Sequence, residues 1–276
     1  MKKFLLATAS MLFFILFISH NIYAKELDAF KGMKGTIRIA GGTAHIPVWE
    51  EIAKQIMKSN PDIQISIAGG GSGLGIKQVG EGLIDIGNSG RTPTAEEVSK
   101  YNLKVYKWAI DGVGIIVNPR NKVANLSKSQ IKDIFAGKIS NWKELGGVDK
   151  GINLYSRHED SGTREVFWTE ALDKGEVSLK ANIVASNGAM KTAIANDPYG
   201  IGYISTGYID ETVKAVMFEG TAPDVENILS GKYKIFRSLY SVTKGEPSPL
   251  VRALLNYLYS EEGKKIIRSK GFIPAE

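Results

Sequence analysis

A chain of 276 residues with no cysteine and a formal net charge of +6 has no disulfide, thiolate or cysteine–zinc chemistry available to it. Its mild basicity is spread along the chain rather than gathered in a run, so no nucleic-acid stripe is expected, whereas small anions would be attracted. The length exceeds what one hydrophobic core comfortably serves and predicts two lobes.

The first segment, MKKFLLATASMLFFILFISHNIYA, opens with Lys2 and Lys3, continues as an apolar run over residues 4–18 and ends in a small-residue site at Ala24. That layout predicts a cleaved signal peptide over residues 1–24, because the run is short for a membrane span. An uncleaved anchor is the weaker alternative on those flanks. A lipid-anchored exported protein would need a cysteine after its signal, so the mature chain is expected free in the periplasm.

Beyond the leader, short β-like runs alternate with helical patterns. GTIRIAGG (35–42) leads into PVWEEIAKQIMKSN (47–60), where Val48, Ile52 and Ile56 recur at helical spacing. DIQISIAGGG (62–71) leads through Ser72 into LGIKQVGEGL, and LIDIGNSG (83–90) into TPTAEEVSKY. Strands alternating with helices predict an α/β fold with largely parallel sheets, whose ligands collect beyond the carboxyl ends of the strands. YKWAIDGVGIIVNPRN (106–121) reads as a long apolar strand closed by Asn118-Pro119. A second series follows: a helical SKSQIKDIFAGKISNW, a strand INLYSR, the stretch HEDSGTREVF, and NGAMKTAIANDPYGIGYIS. FRSLYSVTKGEP (236–247) is another extended run before two terminal helical patterns. Two extended crossings predict one lobe from both ends of the chain, residues 25–117 and 237–276, and one from its middle, residues 118–236. The tryptophans at 49, 108, 142 and 168 sit in apolar patterns and are expected in the cores.

Three places repeat one arrangement of strand, small or hydroxyl residues, then helix: AGGTAHIP (40–47), GGGSGLG (69–75) and EDSGTREVF (159–167). The first turn of a helix leaves N–H groups without partners at a positive dipole end. Glycine admits a ligand close to the backbone and Ser or Thr adds a hydroxyl, which together make an anion site. Taken singly, Thr43, Ser72 and Ser161 read equally as ordinary N-caps. Their threefold repetition and Arg157, a forked and permanently charged donor, favour an anion. A P-loop fails because Ile76 stands where a lysine is needed, and the dinucleotide fingerprint fails because Ile76 replaces its third glycine. A hydrolase built on Ser161 or Asp160 lacks a second Asp-Ser/Thr-Gly, and only His45 and His158 follow the leader. No His or carboxylate cluster has metal-ligand spacing, so neither metal nor cofactor is expected.

The motifs Ser72-Gly73-Leu74-Gly75, Arg157 followed by Ser161-Gly162-Thr163, Ala109 to Pro119, Tyr199 to Ser205 and Tyr240 to Ile266 run in order along nearly the whole chain beyond the leader. In these the chain resembles the periplasmic phosphate-binding proteins of the Pst ABC transporter. The resemblance implies a two-lobed type II periplasmic binding protein fold with the ligand in the cleft, no catalysis, inorganic phosphate as ligand, a membrane permease as partner and a monomeric state. It also implies a site of Thr43, the backbone of Ala44, Ser72, Arg157, Ser161, Gly162 and Thr163. Some members carry an acid after the serine of the third-strand loop to accept the phosphate proton, where this chain has Ser89-Gly90-Arg91. Arg91 is therefore expected either at the anion or bracing the loop. Asp111 is the first substitute acceptor and Asp160 the second, and another tetrahedral oxyanion such as sulfate is the nearest rival ligand.

Overall fold

The computed structural model describes residues 26–275, and the expected signal peptide lies outside the described residues. Parallel strands β1 (Gly35–Gly41), β2 (Ile63–Gly70) and β3 (Ile86–Ser89) open the fold, with β1 between the other two. They are linked by helices α1 (Ile46–Ser59) and α2 (Ser72–Gly80). Helix α1 starts on Pro47, whose fixed φ suits a first turn, and buries Val48, Trp49, Ile52, Ala53 and Ile56 on one stripe. Helix α3 (Ala95–Tyr101) begins with a capping box between Thr94 and Glu97.

The long strand β4 (Leu103–Val117) then carries the chain into a second lobe. That lobe contains β5 (Asn125–Leu126), α4 (Lys128–Phe135), β6 (Asn153–Arg157), α5 (Gly162–Glu170), β7 (Asn182–Val184), α6 (Asn187–Asn196), β8 (Gly200–Ser205), β9 (Lys214–Phe218) and α7 (Val225–Leu229). Strand β10 (Phe236–Lys244) returns antiparallel to β4 in a register that sets Arg237 opposite Asp111. Helices α8 (Pro249–Tyr259) and α9 (Glu261–Ser269) and the short β11 (Ile273–Pro274) close the first lobe. Hydrogen-bonded neighbours run β2-β1-β3-β10-β4-β8-β6-β7, so β4 and β10 join the lobes.

Two cores flank the crossing. One gathers Ile37, Ile39, Trp49, Ile52, Trp108, Ala109, Leu239 and Leu254, the other Val113, Ile115, Phe135, Trp142, Phe167, Tyr203 and Tyr233. Each fully buried isoleucine contributes about 1.5–3 kcal/mol. Strand β4 thus changes core between Ala109 and Val113, and the chain changes back between Ile235 and Leu239. Trp168 is only partly buried, at the margin of the second core. No helix among the described residues is long and apolar enough to cross a membrane.

Candidate anion site

The three strand–helix mouths converge. Thr43 and Ala44 follow β1 and Ser72 begins α2, both in the first lobe, while Ser161 caps α5 in the second. With Gly42, His45, Gly71, Gly90, Arg157, Gly162, Thr163 and Arg237 they enclose a cavity of about 180 Å³. Ligand pockets for drug-sized molecules run to several hundred Å³. A compact ion fits here, and a sugar or nucleotide does not.

Glycine makes the close approach of the lobes possible. A Cβ at Gly162 would lie 2.3 Å from Ser72 Oγ and 2.9 Å from the Gly90 carbonyl carbon. Gly71, at φ +94°, would carry one 2.6 Å from the Asp160 carbonyl oxygen. Any side chain there would hold the cleft apart.

Arg157 ends β6 and is 3 % exposed. Its Nε donates to the Val184 carbonyl at 3.1 Å and its Nη2 to that of Ala185 at 3.1 Å. Its Nη1 is buried and has no hydrogen-bond partner among the described residues. Burial lowers the guanidinium pKa to about 10, with the nearby Arg237 acting in the same direction, so the group is charged at neutral pH. A buried, charged N–H without a partner costs several kcal/mol if left so, and Arg157 lines a cavity whose other walls carry donors.

The hydroxyls are arranged in the same sense. Thr43 Oγ1 accepts from the backbone N–H of Asn187 at 3.2 Å and from its Nδ2 at 3.1 Å. Thr163 Oγ1 accepts from Arg237 Nη2 at 2.9 Å and from Asn187 Nδ2 at 3.5 Å. Ser72 Oγ accepts from Gly90 N at 2.9 Å, and Ser161 Oγ from Arg164 N at 3.2 Å. By helix geometry the first N–H groups of α5, on Gly162 and Thr163, have no acceptor within the helix. The cavity therefore presents N–H and O–H groups backed by positive charge.

Three of the residues considered for the site lie off the cavity. Arg91 does not line the cavity: its Nη1 and Nη2 fork onto Glu97 at 2.8 and 2.6 Å, and its Nε meets Glu165 at 3.1 Å. It ties the third-strand loop to the opposite lobe. Asp111 is buried behind Arg237, whose Nε and Nη2 reach its Oδ2 at 2.9 and 2.8 Å. Its Oδ1 accepts from Ser205 at 2.8 Å and Thr206 at 3.3 Å, so four donors occupy the carboxylate. Asp160 is more than half exposed and pairs with His158 at 3.4 Å.

Arg237, which lines the cavity, and Asn187, which donates to two of its threonines, are the groups that sequence reasoning passed over. Arg237 had a signal, since it falls in phase with Leu239, Ser241 and Thr243 on the buried side of β10. A charge in a buried phase demands a partner. Asn187 had none beyond its place after a capping serine.

Among the described residues neither His45 nor His158 is hydrogen-bonded to a serine hydroxyl. His45 sets Nδ1 3.0 Å from the Gly42 carbonyl and Nε2 3.2 Å from that of Tyr240, and His158 faces Asp160. No metal-binding group of three or more His, Cys, Asp or Glu occurs among the described residues. Burial, reinforced by Arg237, lowers the His45 pKa from 6.5 to about 3. Below pH 6.5 the unfolded chain takes up a proton that the folded chain refuses until about pH 3. The stability is complete above pH 6.5 and falls with pH at up to about 1.4 kcal/mol per unit over that window. His45→Gln should flatten the dependence of the melting temperature on pH between 6 and 4; an unchanged slope would assign it to other groups.

Comparison with known proteins places this geometry. Residues 31–262 match the family model of the PBP superfamily domain. The phosphate-binding protein PstS of Bacillus subtilis (strain 168) is 39 % identical over 255 residues, covering 90 % of this chain and 84 % of the relative. A candidate phosphate ABC transporter substrate-binding protein from Clostridium perfringens, solved with bound phosphate, superposes with a TM-score of 0.83 at 34 % identity. That match covers 88 % of this chain and all of the other. An ABC-type phosphate transport receptor from Vibrio cholerae superposes at 0.69 with 31 % identity, covering 86 % and 99 % of the two chains. With the two-lobed α/β fold and the enclosed cleft already described, the chain belongs to the PBP superfamily and, within it, to the family of the phosphate-binding protein PstS.

Proposed function

We propose that the protein captures inorganic phosphate and passes it to the membrane permease of an ABC importer, working as a monomeric binding protein in the periplasm after signal-peptide cleavage. The observation that carries the reading is Arg157, a charged residue whose buried Nη1 has no partner among the described residues and which lines one cavity with Thr43, Ala44, Ser72, Ser161, Gly162, Thr163 and Arg237. The names of the relatives support the ligand and the transporter, and they are binding proteins rather than enzymes. We take residues near 110–112 and 236–238, where β4 and β10 pass between the cores, as the hinge.

Phosphate at a hundredfold excess over its dissociation constant should stabilise the fold by about 2.7 kcal/mol. In a chain of this size that raises the melting temperature by roughly 5–10 °C. Calorimetric titration gives the affinity, and no ester substrate should be turned over. A flat thermal profile in millimolar phosphate, or hydrolysis that disappears in Ser161→Ala, would sink the reading.

A second ligand is favoured by one observation: no carboxylate faces the cavity unpaired, since Asp111 already has four donors. Nothing then penalises an oxyanion that lacks a proton, and sulfate should compete within roughly tenfold of phosphate. A preference of several decades would require a group in the cavity that can only accept, such as a free carboxylate.

A further inference from the structure

We propose that Asn187 is a positioning residue that reaches across the cleft and fixes the two threonine hydroxyls of the site as donors. The inference rests on the anion-binding reading above and adds a residue to it. Asn187 is fully buried at the first turn of α6, in the second lobe. Its Oδ1 accepts from the Ser205 N–H at 3.1 Å. That bond settles which way the amide points, because the backbone N–H can only donate. Its Nδ2 therefore faces Thr43 in the first lobe and Thr163 in the second, at 3.1 and 3.5 Å.

A hydroxyl oxygen accepts two hydrogen bonds and donates one. Thr43 Oγ1 already accepts two from Asn187, through the backbone N–H and the side chain, and Thr163 Oγ1 accepts one from Arg237 and one from Asn187. Both lone-pair sites are filled at each threonine, so each hydroxyl proton turns to the cavity. Ser72 and Ser161 each receive one amide and keep an accepting direction. The cavity is consequently polar in a directed sense. The threonine and arginine side accepts only bare anion oxygens, and the protonated oxygen of hydrogen phosphate lies on the serine side.

The bonds to Thr43 form only when the lobes meet. Thr43 caps the first amide of α6 from the other lobe, and Tyr208 Oη donates to the Thr43 carbonyl at 2.7 Å. Opening the cleft removes the second lobe's donors from Thr43, whose hydroxyl is then free to rotate. Closure thus turns the Thr43 hydroxyl into a fixed donor for the anion.

The test is a double-mutant cycle on phosphate affinity, read by calorimetry on protein whose fold is checked by thermal unfolding. Asn187→Ala should weaken phosphate about tenfold, since one orienting bond to each hydroxyl is lost. In a Thr43→Val/Thr163→Val background the same change should cost less than about twofold, because the cycle then has no hydroxyl left to orient. A purely structural asparagine would cost the same in both backgrounds, and that result overturns the proposal, as does an Asn187→Ala protein with wild-type affinity. Should Asn187→Ala fail to fold, Asn187→Asp keeps the shape and the Ser205 bond but accepts from the threonines. It should weaken phosphate by more than about a hundredfold, the loss from two reversed hydroxyls beside a new buried negative charge, and affinity within tenfold of wild type overturns the proposal. If wild type binds sulfate but not phosphate, the transport reading fails, and the cycle run with sulfate decides the role of Asn187 by the same criteria.

Discussion

Arg157→Ala is expected to weaken phosphate binding by roughly thirtyfold to a few thousandfold while leaving the ligand-free protein close to wild type in stability. Truncating one member of a buried charge pair typically costs about 2–5 kcal/mol, at about 1.4 kcal/mol per decade of affinity. The second half of the expectation comes from what Arg157 lacks. Among the described residues its guanidinium meets no carboxylate, only the Val184 and Ala185 carbonyls, and its Nη1 has no partner. Burying such a cation costs folding free energy, and losing two carbonyl bonds roughly offsets the relief from removing it. The group is thus held ready for an anion at the expense of the empty state. Arg157→Lys should restore only part of the affinity, because an ammonium cannot hold both carbonyls and still fork across two anion oxygens. Calorimetry with phosphate and thermal unfolding without it check the two halves separately. Wild-type affinity in Arg157→Ala would misplace the site, and a large loss of ligand-free stability would make the residue a structural one.

What the sequence disclosed about this site was what is local. A hydroxyl or glycine between a strand and a helix has its meaning within four or five residues, so Thr43, Ser72 and the Ser161–Thr163 turn could be singled out, and the structure brings all three mouths to one cavity. Arg157 stood four residues from Ser161, at the end of a readable strand. The groups whose roles depend on a distant partner were misjudged or passed over. Arg91 was open to two readings, at the anion or bracing the loop, and only the fold, which brings Glu165 from the other lobe to its Nε beside Glu97 of its own capping box, gives it the bracing place. Asp111 was rightly sensed to lie near the crossing, but its environment is set by a strand more than a hundred residues on. The alternation of strands and helices was likewise legible, because period-two and helical spacing are local signals. The order β3-β10-β4, which weaves the C-terminal strand into the first lobe, comes from pairing that no local pattern records.

That long-range pairing carries the second large expectation. Arg237 and Asp111 face each other across antiparallel strands at the point where the chain changes lobe, both almost fully buried. Arg237→Ala would leave Asp111 with only its Ser205 and Thr206 bonds and no counter-charge, and breaking a buried pair in this way typically costs about 3–5 kcal/mol. The same change removes a cavity cation and the Nη2 donor to Thr163, so phosphate affinity should fall with stability. The two effects can be separated. Replacing both partners by apolar residues of similar volume, Arg237→Met with Asp111→Leu, removes the unpaired charge along with the pair, and such replacements are often neutral or stabilising by about 1–4 kcal/mol. The double variant should therefore regain most of the melting temperature lost in Arg237→Ala while still binding phosphate at least tenfold more weakly than wild type, the value of about one charge-assisted bond. If it regains both, Arg237 serves only to neutralise Asp111, and the cavity's positive side reduces to Arg157. If Arg237→Ala unfolds at the wild-type temperature, the pair holds nothing together at the crossing. The expected result, stability restored without affinity, is what a cation serving both the hinge and the anion must give.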